Sequence, residues 1–149
     1  PSLQAPQSPQ YGPKLITTWS PGTTSVTASP TSSTMPAPSW PITIGVAVVN
    51  ERAGTVLVVG MDGSRPFTPD TAHGKALGTV LWGMAGERLE GRGSNAVFDY
   101  VSELYGRRVV YAKGSALLQR DGVVQGAIGV SGATPYIDEA LAQEAAAGY

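Results

Sequence analysis

Proline placement constrains this chain more than any other feature. Nine of the 12 prolines fall in residues 1–41. Proline lacks a backbone donor and pushes the residue before it out of the helical region. No helix therefore fits this stretch. The same residues hold eight Ser, seven Thr and a single charged residue, Lys14, whereas residues 42–149 hold nine of the ten Lys+Arg and all 11 Asp+Glu. The chain thus reads as two objects: a Pro/Ser/Thr-rich leader or arm (1–41) and a domain (42–149). The leader is either a solvated tail or an arm laid across a subunit through Tyr11, Leu15, Ile16, Trp19, Val26 and Trp40.

Absences exclude several classes. The chain has no cysteine, hence no disulfide framework, thiolate haem ligand, iron–sulfur cluster or zinc ribbon. It has one histidine, His73, so no multi-histidine metal site forms within one chain and no bound metal ion is expected. A net charge of −1 lacks the basic footprint of a nucleic-acid binder. No apolar run is long enough for a membrane span. The first residues lack a charged and then apolar signal pattern, and they lack an initiator Met. The expected location, cytoplasmic or secreted, stays open.

Within 42–149 the pattern is that of an α+β fold. Residues 42–50 and 55–61 are β-branched runs joined by four residues, which reads as a hairpin, apolar enough to be covered on both faces. Thr68-Pro69-Asp70 announces a helix to Met84, with Thr68 as its cap. Glycines at 74, 78 and 83 weaken it and let something approach its backbone. Residues 86–93 read as a loop, and Ser94 as the cap of a short helix to Tyr105. Residues 108–113, 115–119 and 123–131 read as strands, the last two joined by the turn signal Asp121-Gly122. Thr134-Pro135 starts a terminal helix. The expected result is an antiparallel sheet of about five strands with helices against it.

Few side chains suggest chemistry. Gly129-Val130-Ser131-Gly132 lacks the spacing of a nucleophile elbow and has no histidine after it. The glycines at 126, 129 and 132 fit close packing of a helix on the last strand. His73 and Lys75 sit near a helix start beside the hairpin. His73 is a metal-centre donor or an acid/base near neutral pH, or else a satisfied histidine. Lys75 holds an anionic group, or is an exposed helix lysine. Asp62 is a turn residue or a site carboxylate. Arg107 and Arg108 read as a solvated strand start.

At these residues the chain resembles the GlcG/HbpS-like, DUF336-type family. The resemblance rests on Val48-Val49-Asn50 through Gly54, Met61-Asp62-Gly63, Ala72-His73-Gly74-Lys75-Ala76, the run Arg120–Ala133 with its GAIGVSGA, and Asp138–Ala142. It spans about residues 42–147. It implies a profilin-like α/β/α sandwich that forms homo-oligomers, with some members binding haem in redox-linked roles. The family's recurrent polar positions fall on Asp62, Lys75 and Asp138. His73 stands where the family has a small or amide residue, so its role is particular to this chain. The family's long N-terminal helix is replaced by the leader, which is therefore expected to dock. The family's arginine two residues before the aspartate is Gly60 here.

Two functions follow as expectations. The first is an oligomeric protein binding haem or a related tetrapyrrole between the hairpin and the Thr68–Met84 helix. Lys75 would meet a propionate and His73 or Met61 would stand near the iron, with Asp62 and Asp138 also at the ligand. The second is a small metal-free isomerase, lyase or cyclase acting on a carboxylate or aromatic metabolite. There Lys75 would polarise the substrate while Asp62 or His73 moves a proton.

Overall fold

Residues 14–29 carry Ile, Thr and Val between prolines, a composition that suits strands. This computed structural model describes residues 14–20, 23–29, 42–106 and 108–149, the first two segments as backbone alone. Those two are strands β1 (Lys14–Ser20) and β2 (Thr23–Ser29), paired antiparallel from Lys14↔Ser29 to Ser20↔Thr23. In sequence, Pro13, Pro21 and Pro30 fall just outside them, consistent with proline's inability to donate to a ladder. The composition argument excluded a helix here but missed this hairpin. Tyr11 and Trp40 lie outside the described residues, as do the side chains of Leu15, Ile16, Trp19 and Val26.

The main sheet is built from two hairpins. Strands β3 (Gly45–Asn50) and β4 (Thr55–Gly60) are joined by a turn in which Asn50 Oδ1 accepts from the Arg52 and Gly54 amides, at 3.0 and 2.8 Å. Strands β5 (Ser115–Arg120) and β6 (Val123–Ser131) are joined through Asp121 and Gly122, with φ of 51° and 75°. Two consecutive positive φ values are what a two-residue type I′ hairpin demands. The order is β4-β3-β6-β5, antiparallel throughout.

The sheet therefore has four strands among the described residues, and not about five. The expected strand over 108–113 is absent. Val109 and Val110 suit a strand, but this segment lies across helix α1 (Thr68–Trp82): the Val110 amide donates to Gly74 O at 3.0 Å. A Cβ at Gly74 would collide with Arg108 O, so this glycine permits the crossing. The segment is anchored from the other side by aromatic packing. Trp82 stacks on Phe98 with centroids 3.8 Å apart, Phe98 meets Tyr111 edge-on, and Tyr111 OH donates to Phe98 O.

Alternation along the strands divides the core in two. Val46, Ile128, Val130, Ala116 and Leu118 pack with Leu141, Ala142 and Ala145 of helix α4 (Pro135–Ala147). On the opposite face, Val49 and Ala127 pack with Ala76 and Leu77 of α1. Close approach of α1 needs Gly129, where a Cβ would strike the Ala72 carbonyl. Gly126 has a different cause, since it faces Val49 O of the neighbouring strand.

Several boundaries differ from expectation. The cap of α1 is Phe67, with no side-chain cap bond, and Thr68 lies inside the helix. Residues 86–94 are no plain loop: they hold helix α2 (Gly86–Leu89) and a 3₁₀ turn at Arg92–Ser94. Helix α3 (Ala96–Leu104) is capped by Asn95, whose side chain accepts from the Val97 amide, in place of Ser94. Thr134 caps α4 as expected, accepting from the Ile137 amide. Strand β4 is not covered on both faces: it is an edge strand with Val56, Val58 and Val59 exposed.

Candidate functional site

Helix geometry separates the two central candidates. Each residue turns an α-helix by about 100°, so His73 and Lys75 point to nearly opposite sides of α1. The structure follows that rule.

His73 faces the hairpin. Its Nε2 is 2.8 Å from Thr55 Oγ1. It lines a cleft of about 300 Å³ with Ala53, Thr55, Leu77, Leu104, Tyr105, Gly106 and Arg108. Burial pushes the imidazole below its ordinary value of 6.5, Arg108 pushes it further down, and Asp70 opposes both. The ring is therefore neutral at pH 7 and keeps one nitrogen lone pair. Arg108, read from sequence as a solvated strand residue, supplies the cation of this cleft. The signal that could have placed it was Gly74, which marks where a second segment crosses the helix.

Lys75 faces the sheet. It is 5% exposed, and Asp138 is 3% exposed. Lys75 Nζ donates to Asp138 Oδ2 and to Val130 O, both at 2.9 Å. Asp138 Oδ1 accepts from the Ala133 amide at 3.0 Å. The lysine passes Gly114, where a Cβ would lie 2.6 Å from Nζ and 2.8 Å from Asp138 Cβ. Glu139 accepts from the Gly114 and Ser115 amides, and Thr79 Oγ1 donates to Ser115 Oγ at 2.7 Å. Lys75 and Asp138 thus come together, in a sealed network that joins helices on opposite faces of the sheet. Sequence reading missed Glu139, Thr79 and Ser115. Thr79 lies four residues after Lys75, so the two polar residues share one helix side, which was the available clue.

Met61 and Asp62 belong to an exposed turn at the far end of β4. The Met61 amide donates to Ile44 O at 2.9 Å, and the Ser64 amide returns to Met61 O at 3.0 Å. Six residues of extended chain separate Met61 from Thr55, about 20 Å. Met61 and His73 are therefore in different places, and neither Met61 nor Asp62 lines the His73 cleft.

A second, larger cleft of about 780 Å³ opens near that turn. Ile42, Thr43, Arg65, Phe67, Thr68, Ser131, Gly132, Ala133, Thr134 and Ile137 line it. Among the described residues no group of three or more His, Cys, Asp or Glu could hold a metal ion, and no helix is long and apolar enough to cross a membrane.

The structure is an α+β domain with two clefts, its helices tied through the sheet by a buried lysine–carboxylate pair. The model of the family described as haem degrading protein HbpS-like matches residues 34–147, and the chain belongs to that family. Solved structures agree on the fold. The Klebsiella pneumoniae protein ORFY aligns at 22% identity over 71% of this chain and 74% of its own, with a TM-score of 0.63. A structure described as a PduOC:heme complex aligns at 24% identity over 72% and 78%, also with a TM-score of 0.63. A double mutant of HbpS from Streptomyces reticuli aligns at 26% identity over 71% and 70%, with a TM-score of 0.59. Comparison with curated proteins returns no match.

Proposed function

We propose that the chain binds haem or a related tetrapyrrole at the His73 cleft. The observation that carries this reading is a neutral imidazole in an open cleft with a cation beside it. A haem site needs a donor for the iron, a cation for a propionate and apolar walls. His73 would supply the nitrogen, Arg108 the cation, and Leu77, Leu104 and Tyr105 the walls. Freeing Nε2 from Thr55 costs about 1 kcal/mol, small beside a metal–nitrogen bond. Bound haem would supply one-electron redox chemistry to the site. The family description, and the haem carried by the PduOC structure, support the choice of ligand. Lys75 and Asp138 act in this reading by holding α1 and α4 in place, while Met61 and Asp62 stand outside the cleft.

Haemin titration of the full chain tests the site. A Soret shift is expected in the parent and is lost in His73→Ala, with Arg108→Gln weakening binding. An unchanged shift in His73→Ala defeats the assignment.

Self-assembly belongs to the same proposal. Its support in this chain is β4, an edge strand with exposed valines and open backbone groups, the kind of edge that invites pairing. Sedimentation should give a mass above the monomer, and Val58→Lys should lower it. A monomeric parent removes this element.

A further inference from the structure

The cleft of about 780 Å³ stands apart from His73 and holds its own set of groups. Its floor is the turn where β6 passes into α4, and its wall is the connection from β4 into α1. Thr68 is 2% and Ser131 7% exposed, yet both line the cleft. Neither hydroxyl has a hydrogen-bond partner among the described residues. Neither oxygen is sealed off, so a group that enters the cleft can reach both.

The surroundings say what kind of group would reach them. Arg65 lines the same cleft and makes no ion pair among the described residues. Helix α1 begins at Thr68 without a side-chain cap, so its positive end adds to the field. Helix α4 contributes less, because Thr134 and Asp138 already accept from the Ile137 and Ala133 amides. Phe67, Ile42 and Ile137 supply apolar surface. We infer that this cleft binds a small organic carboxylate with an apolar or aromatic body, its oxygens on Arg65 and on the Thr68 and Ser131 hydroxyls. The guanidinium forms charge-assisted bonds to the oxygens, and Phe67 covers the body.

Benzoate is a suitable probe, with benzyl alcohol as its neutral analogue and inorganic phosphate as an anion without an apolar body. Titration of the full chain, followed by amide resonances and calorimetry, should show millimolar or tighter benzoate binding with shifts centred on Ser131–Thr134. Arg65→Gln should weaken it by about tenfold, and Ser131→Ala by a smaller factor. Benzyl alcohol and phosphate should each bind at least about tenfold more weakly than benzoate. His73→Ala should leave benzoate binding unchanged while removing the haemin Soret shift, so the two sites fail or succeed separately. No benzoate binding at millimolar concentration overturns the inference. So does binding indifferent to Arg65→Gln, and so does benzyl alcohol or phosphate binding as well as benzoate.

Discussion

The two sides of α1 use adjacent polar residues in opposite ways. On one side, His73 makes a single exchangeable bond to Thr55 in an open cleft. On the other, Lys75 gives two bonds to buried acceptors in a sealed network. Both were candidates for one ligand site, because both lie at the start of the same helix. The difference teaches that a polar residue near a helix start identifies neither a ligand group nor a support. Its helical phase decides, together with whether its partners can let go.

The largest expected effect is on the sealed side. Lys75→Met should destabilise the domain by about 3–5 kcal/mol, because Asp138 is left buried and unpaired. Urea unfolding measures this. Replacing both members, as Lys75→Met with Asp138→Leu, should recover part of the loss, since an apolar pair leaves no orphaned charge. A Lys75→Met protein as stable as the parent breaks the contrast between the two sides.

Gly114→Ala should cost less, about 1–3 kcal/mol, by forcing a Cβ against Lys75 Nζ, Asp138 and the Val130 carbonyl at a backbone φ of 113°. The same measurement applies, and an unchanged midpoint shows that the lysine and the backbone around Gly114 both have room to shift. On the open side, His73→Ala should alter stability by less than about 1 kcal/mol, because one exposed bond is lost. Its effect should instead appear in haemin binding, which would sharpen the division between support and ligand group.

The smallest effect is on pH dependence. The folded His73 titrates below its unfolded value of 6.5, so the unfolded chain binds more protons between the two values. His73 therefore costs no stability above pH 6.5 and an increasing amount as pH falls from there toward its folded value. Denaturation midpoints should fall more steeply with acid for the parent than for His73→Gln. Equal slopes would mean that the imidazole is as solvated as in the open chain.

Local signals were readable and non-local ones were not. Asp121-Gly122 places both positive-φ residues itself, so the β5–β6 turn needs no distant partner. Thr134-Pro135 sets the start of α4 in the same way. The segment 108–113 failed because Val109 and Val110 suit strand and coil alike, and Gly74, more than thirty residues earlier, decides between them. The ends of α1 also depend on context, since Thr68 turns inward to the large cleft instead of capping. Of the proposed site, the position of His73 beside the hairpin was legible. The pairing of Lys75 with Asp138 was not, because contact across 63 residues of sequence leaves no trace in spacing. Arg65 and Arg108 were missed for the same reason.

The lysine that passes Gly114 also bears on how the domain opens. A helix packed on one face of a sheet by apolar contact alone can detach as a separate unit, leaving the other layer intact. Here α1 cannot lift from its face without pulling its ammonium group away from the carboxylate of α4 on the other, which is left buried and unpaired. The two layers should therefore share one cooperative opening. In native-state hydrogen exchange, the slowest amides of α1 and α4 should report the same free energy and the same denaturant dependence. Uncoupled by Lys75→Met and Asp138→Leu together, they should separate into two.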